Sequence, residues 1–272
     1  MTMISYGQDG EDVLLQRAFP ERFDGFYIDV GANDPLLHSV TKHFSNRGWR
    51  GINIEPVPSL HERLRADRPR DVNLNAGLSD REGRVTFHEC ESEPSWSTFS
   101  PEVAAVLRKR GCDLLERDVA VTTLAGVCDR YADAPIDFLK IDVEGFEREV
   151  IEGADWGRWR PRVVLVENSW PESWEPLLLG ADYLPALRTE LNRCYVRAED
   201  RHLLGRLSEP LGRGDDFVRH RHARLVRDLN DWLARGEDFG PKALKVACRL
   251  HRAAVRHPRL ASVCRSLLGL AG

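Results

Sequence analysis

The chain has 272 residues, 42% apolar and 30% charged, enough for an ordinary core in one large domain, or one domain with an appendage, without disulfide or metal staples. Its formal charge of −4, from 39 basic and 43 acidic side chains, excludes a bulk electrostatic case for nucleic acid binding. No apolar run approaches the roughly 18 residues that span a bilayer, and the N-terminus MTMISYGQDGED lacks a charged-then-apolar leader, so a cytoplasmic location is expected.

Apolar runs of strand length recur along the chain at Phe26–Val30, Gly51–Ile54, Val72–Leu74, Arg84–His88, Phe138–Ile141 and Val163–Val166. Between them, Ser39–Arg47, Ser59–Arg65, Val103–Arg110, Thr123–Arg130 and Glu147–Glu152 have helical character. Strands that are apolar at consecutive positions and alternate with helices predict a mostly parallel, doubly wound α/β sheet covered on both faces. Cys194–Val196 and His202–Leu204 predict a terminal hairpin. From Phe217 the chain turns basic, with Leu, Val and Ala at helical spacing, which predicts two amphipathic helices packed on the domain or on a second copy in a homodimer. The expected division is therefore a domain over 1–216 and a basic helical extension over 217–272. Cys90, Cys112, Cys128, Cys194, Cys248 and Cys264 show neither CxxC nor Cys/His ligand spacing and read as buried or idle thiols.

In such sheets ligands sit beyond the carboxyl ends of the strands, near the point where strand order reverses. The first main strand runs FYIDV into GANDP, a turn with one glycine and no lysine, which argues against a pyrophosphate. Glu55 ends the next strand, INIEP, where an acid can accept both hydroxyls of a ribose. Together they suit a phosphate-free nucleoside cofactor, and S-adenosylmethionine fits. An acid in this position also caps helices, which is the alternative for Glu55.

The strings SYGQDGEDVLL, FYIDVGANDP, HSVTKHF, RGWRGINIEP, RPRDVNLNAGLSD, WSTF, IDFLKIDVEGFEREVIEG and LGRGDDFV, spread over roughly residues 5 to 220, resemble the FkbM-type family of S-adenosylmethionine-dependent methyltransferases. The resemblance implies a class I methyltransferase fold, Rossmann-like, with a doubly wound seven-stranded sheet. It implies Asp29, Gly31 and Asn33 at the methionine end of the cofactor and Glu55 on its ribose. Asn75 and Ala76, with the neighbouring Ser79 and Asp80, would fall near adenine. Tyr6, Gln8 and Asp12 would form an N-terminal flap, helix capping being the alternative for Gln8 and Asp12.

A second centre follows Phe138–Ile141. Asp142 and Glu144, two apart, would point to one side of an extended chain, and like charges so placed need a proton or cation between them. Glu167 and Asn168 end the next strand. Asp142, Glu167 and Asn168 form an oxygen-rich set compatible with Mg²⁺; a hydrogen-bonded acid cluster holding loops is the alternative. Glu144 is the first candidate for general base and His38 the second, with Asp142 beside them in the catalytic set. Trp96, Ser97 and Thr98 lie on a long inter-strand segment suited to substrate binding, and Trp170 and Trp174 offer apolar walls for a sugar ring. Trp49 reads as core. The expected activity is O-methylation of a saccharide or glycosylated metabolite. N- or carboxyl methylation of a small metabolite or peptide, and a non-catalytic cofactor-fold binding protein, are the rivals.

Overall fold

The strands FYIDV and FLKI are buried at every residue, and VVLV at the start of the next strand likewise. Side chains in a strand alternate between faces, and the burial follows that period. Phe26, Ile28, Val30, Leu139, Ile141, Val164 and Val166 join one apolar cluster, whereas Tyr27, Phe138, Val163 and Leu165 join another on the opposite face. Each such side chain removed from water contributes about 1.5–3 kcal/mol, so a sheet core covered on both sides follows from the sequence. Trp49 belongs to the second cluster, 1% exposed, as its context implies.

The computed structural model of the protein describes residues 2–170, 173–212 and 214–234. The strands are β1 (Met3–Ser5), β2 (Phe26–Val30), β3 (Arg50–Ile54), β4 (Val72–Leu74), β5 (Gly77–Leu78), β6 (Gly83–Cys90), β7 (Leu114–Thr122), β8 (Phe138–Ile141), β9 (Val163–Glu167), β10 (Tyr183–Arg188), β11 (Asn192–Arg197) and β12 (Phe217–Arg219). The helices are α1 (Glu11–Ala18), α2 (Lys42–Asn46), α3 (Pro58–Asp67), α4 (Pro101–Lys109), α5 (Leu124–Tyr131), α6 (Glu147–Glu152), α7 (Glu175–Gly180), α8 (Leu204–Leu207) and α9 (His220–Ala234). Helix starts carry local signals: Pro58 and Pro101 occupy first-turn positions, and Ser100 and Thr123 cap α4 and α5 by accepting from the Val103 and Gly126 amides.

The main sheet has seven strands in the order β10-β11-β9-β8-β2-β3-β4. Pairings from β9 through β8, β2 and β3 to β4 are parallel, while β11 runs antiparallel to both β9 and β10. The chain leaves β2 toward β3 and β4 on one side and returns through β8 to β9 on the other. The order therefore reverses between β2 and β8, which places the ligand crevice at their carboxyl ends. This is the doubly wound, mostly parallel seven-stranded arrangement expected.

One expectation needs correction. His202–Leu204 is not a strand: it closes a 3₁₀ turn over Ala198–Leu203 and opens α8, because Leu203 and Leu207, four apart, bury one helical face. The partner of β11 is the upstream β10. A strand with no counterpart among the expected elements is β7, which pairs with β5 and β6 in a separate three-stranded sheet. Its sequence LLERDVAVT is mostly solvent-facing, with only Val121 buried, so it lacks the apolar signal of a core strand.

Phe217–Arg219 is also a strand, parallel to β1, so the chain beyond residue 216 begins by pairing with the N-terminus. The first expected C-terminal helix is α9; the second lies outside the described residues, as do Cys248 and Cys264. The described cysteines are free thiols; burial pushes those of Cys128 and Cys194 up to about 12. Among the described residues no helix is long and apolar enough to cross a membrane.

Candidate active site

The turn after β2 is set by backbone contact. The amides of Gly31 and Ala32 donate to the Ile54 carbonyl at 3.0 and 3.1 Å, and Asp142 N donates to the Val30 carbonyl at 3.0 Å. Gly31 has φ +74°, and a Cβ on it would lie 1.8 Å from the Asp142 carbonyl oxygen. Only glycine lets β2 and β8 end this close together. A cleft of about 680 Å³ opens at that point.

Glu55 lies on one side of it, 4% exposed. Its Oε2 accepts from Asn33 N and its Oε1 from Val57 N, both at 2.8 Å. Each oxygen keeps a further lone pair for a ligand hydroxyl. Burial pushes the carboxyl up to about 7 against those two amide bonds. Gly31, Asn33 and Ala76 line the cleft with it. Asn75 does not: its amide donates to the carbonyls of Glu55 and Pro56 at 2.9 Å each, holding the Glu55 backbone from outside. Ser79 is buried and donates to Asp80, and neither lines the cleft.

Asp29 lies beneath the cleft rather than in it, 1% exposed. Its Oδ2 accepts from Thr41 Oγ1 at 2.6 Å, and Arg68, itself buried, donates to Thr41. Its cross-strand neighbour is Lys140, whose Nζ stands 3.6 Å from Asp29 Oδ1, 3.0 Å from Asp142 Oδ2 and 3.4 Å from the Gly31 carbonyl. Burial pulls the ammonium's pKa down, but Asp142 and Asp29 outweigh it and the pKa is raised. Lys140 thus stays charged and links the two strand ends. Sequence reasoning missed it, although a lysine inside an otherwise apolar strand, opposite an aspartate in the neighbouring one, was a readable signal.

One carboxylate oxygen from each of Asp142, Glu144 and Glu167 gathers within a mutual 4.8 Å. The route differs from an extended chain: Glu144 adopts φ +52° and Gly145 φ +89°. That turn is held by Glu147 Oε1, which accepts from Val143 N and Gly145 N at 3.1 Å, and by Thr98 Oγ1, which donates to the Glu144 carbonyl at 2.7 Å. Trp170 Nε1 donates to Glu144 Oε2 at 3.2 Å, and Ser169 donates to Glu167 Oε1 at 2.6 Å. Burial and then the neighbouring acids push Glu144 up to about 8 and Glu167 up to about 10. Glu167 Oε2 is buried without a hydrogen-bond partner among the described residues. An orphaned oxygen in a set of three carboxylates fits a divalent cation. Glu144 joins Asp142 and Glu167 in this set; Asn168, the other expected ligand, does not line the cleft, and its backbone N donates to the Leu191 carbonyl.

His38, exposed and at φ +60°, lines the cleft and bridges Gly7 through its backbone. Gln8 lines it too. Asp12 does not: fully buried, it accepts from Ser5 Oγ, Tyr6 N and Val13 N and anchors the residues before α1. Glu11 and Asn192, which sequence reasoning passed over, reach the cleft as a pair at 2.9 Å. Trp96, 46% exposed, lines the mouth with Ser97, while Trp170 forms a wall. Thr98 is fully buried, so its contact is with the Glu144 turn and not with the cleft. Trp174 is core, 1% exposed and edge-on to Tyr195, because α7 folds it under the sheet face.

With this geometry in place, comparison with known proteins is decisive at one point: residues 29–197 match the family described as the methyltransferase FkbM domain. The chain belongs to the FkbM methyltransferase-domain family. Over 182 residues it is 30% identical to methyltransferase sdnD of Sordaria araneosa, covering 56% of this chain and 67% of that protein. Among solved structures, methyltransferase FkbM from Methylobacillus flagellatus KT aligns over 71% of this chain at 18% identity and TM-score 0.44; the chain spans 48% of that protein's length. The precorrin-6y C5,15-methyltransferase of Geobacter metallireducens GS-15 aligns over 70% of this chain and 89% of its own, at 14% identity and TM-score 0.40. The FkbM match runs from Asp29 near the end of β2 to the end of β11, and so takes in Glu55, Lys140 and all three gathered acids.

Proposed function

We propose that this FkbM-family protein is an S-adenosylmethionine-dependent O-methyltransferase acting on a hydroxyl of a saccharide or glycosylated metabolite. The observation that carries the donor assignment is Glu55, buried at the cleft wall with a free lone pair on each oxygen, beside a turn with no phosphate cradle. The acidic lining, which includes Glu11, Glu55, Asp142, Glu144 and Glu167, suits a cationic donor and disfavours nucleic acid. S-adenosylmethionine supplies a methyl group already activated on sulfur.

What is left to the protein is alignment of the acceptor and removal of its proton. Glu144 would serve for that: it lines the cleft, Trp170 donates to its Oε2, and a carboxyl raised by burial and by Asp142 is a stronger proton acceptor than an ordinary one. Asp142, tied to Lys140, orients the same turn. His38 at the rim is the second proton acceptor. Where Mg²⁺ binds, Asp142, Glu144 and Glu167 would hold it, and it would lower the pKa of an acceptor hydroxyl. The exposed Trp96 and the Trp170 wall supply flat apolar faces for a sugar ring, with Ser97 as a polar edge.

Calorimetry with S-adenosylmethionine tests the donor half: binding heat in the wild type and loss of at least about tenfold affinity in Glu55→Ala are expected. No heat in the wild type ends the reading. The acceptor half is tested by mass spectrometry of saccharides incubated with labelled donor, where a gain of one methyl group supports it and methylation confined to amines or carboxylates overturns it.

A further inference from the structure

The residues ahead of α1 form a strap along one side of the cleft. Gly7 bridges His38, in the loop after β2, and Glu11 accepts from Asn192 at the start of β11. Gln8 on this strap and Glu11 at the start of α1 line the cleft. In the sheet order β11-β9-β8-β2-β3-β4 the Asn192 anchor lies at the β11 end and the His38 anchor follows the central β2, whereas Glu55 and Ala76 follow β3 and β4. A nucleoside whose ribose is on Glu55 therefore meets the strap with whatever substituent extends from its 5′ position.

The strap is held down by the far end of the chain. β1 pairs in parallel with β12, Met3 opposite Phe217 and Ser5 opposite Arg219. Arg219 Nη1 donates to the Gln8 carbonyl at 2.6 Å and to the Gly7 carbonyl at 3.4 Å. The His220 ring stacks on Tyr6 with centroids 4.7 Å apart. Arg219 differs from Arg17 nearby, whose guanidinium is paired with Asp215. Its two hydrogen bonds go to neutral carbonyls of the strap, one turn of chain before Glu11. Charge-assisted bonds of this kind are roughly twice as strong as neutral ones. Both Arg219 and the strap fall outside residues 29–197, the span matched to the FkbM domain.

We propose that Arg219 is a positioning residue for the donor cleft: by bonding the Gly7 and Gln8 carbonyls it keeps the strap over the amino-acid tail of a bound S-adenosyl donor or product. The proposal rests on the donor reading given above. The C-terminal segment is then part of the binding machinery and not an appendage to it. A strap released from Arg219 leaves the tail uncovered, so a ligand with the tail dissociates faster while one without it is indifferent.

The test measures dissociation rates from the full chain for S-adenosylhomocysteine and for 5′-methylthioadenosine, which lacks the amino-acid tail. Arg219→Ala is expected to speed release of S-adenosylhomocysteine about tenfold or more and to leave methylthioadenosine within about twofold, with an unchanged unfolding midpoint. Arg219→Lys, which keeps a cationic donor, restores part of the effect. If Arg219→Ala does not fold, Tyr6→Leu, which removes the His220 stack, is expected to give the same ligand-selective pattern. Equal acceleration of both ligands, or no acceleration of either, overturns the proposal. Absence of binding to the wild type removes the donor reading along with it, whereas wild-type binding with unaltered release from Arg219→Ala removes this inference alone.

Discussion

Gly31 and Asp142 touch through their backbones: the α-carbon of one and the carbonyl oxygen of the other leave no room for a methyl group between the ends of β2 and β8. That contact joins the proposed donor side of the cleft to its acid cluster, since the Asp142 side chain is one of the three gathered carboxylates. Lys140 reinforces the junction by reaching both the Gly31 carbonyl and Asp142.

Gly31→Ala should therefore be among the most damaging small substitutions in the chain. It places a side chain at φ +74° and drives a Cβ into backbone, which cannot swing aside as a flexible side chain can. A loss of about 3 kcal/mol or more is expected, read as a fall in urea midpoint. A variant with wild-type stability would mean that β2 and β8 are not held this close.

Thr98→Val tests the support of the Glu144 turn. The hydroxyl donates to the Glu144 carbonyl and accepts from Ser100 N, and valine of similar shape leaves both groups buried without a partner. A cost of about 1–3 kcal/mol is expected, with Thr98→Ser recovering most of it. Equal stability of the valine variant and wild type in equilibrium denaturation would remove Thr98 from this role.

Stability of the ligand-free protein should fall as pH rises from about 4.5 to 7. Glu11, Glu55 and Glu147 are each raised from 4.5 to about 7, first by burial. A carboxyl whose folded pKa exceeds its unfolded value holds its proton more tightly when folded, so its contribution is complete below the unfolded pKa and is lost as pH climbs through the folded one. Each such shift corresponds to about 3 kcal/mol at most. His43, lowered from 6.5 to about 4 by burial and then by Arg47, opposes the decline within this window, one group against three; Asp200, where burial is outweighed by hydrogen bonds from Arg162 and Arg197, acts in the same opposing sense but below the window. Urea titrations at pH 5, 6, 7 and 8 should show the decline, and Glu11→Gln should make it shallower. A flat profile would contradict the burial of these groups.

Mg²⁺ or Mn²⁺ should raise the thermal midpoint of the wild type and leave Asp142→Ala unaffected. Asp142, Glu144 and Glu167 repel one another without a proton or cation, so a bound metal relieves the folded state. Titrations in buffers of different ionisation enthalpy should detect protons released on binding, because burial holds Glu144 and Glu167 protonated. Midpoints that ignore both metals would leave the acids as a proton-sharing cluster.

Much of this was written locally. The runs FYIDV, FLKI and VVLV predict covered strands because every second residue must satisfy one of two apolar faces, and those strands occur at the predicted positions. The acids at the ends of β3, β8 and β9, Glu55, Asp142 and Glu167, were readable for the same reason, since a charge directly after a buried strand falls on the sheet's rim. Other placements depended on contacts far apart in sequence. Asp29 and Lys140 form an ion pair below the cleft only once β2 and β8 pair, and Thr98 turns inward only because it reaches Glu144 from the segment that bridges His88 of β6. Pairing of Ser5 with Arg219, more than two hundred residues on, left no periodic trace in either segment. The chain's own pattern of apolar and polar residues decided which segments are buried strands, because burial is a property each residue carries; the assembled sheet decided which polar groups face a ligand, because that depends on what each one meets across space.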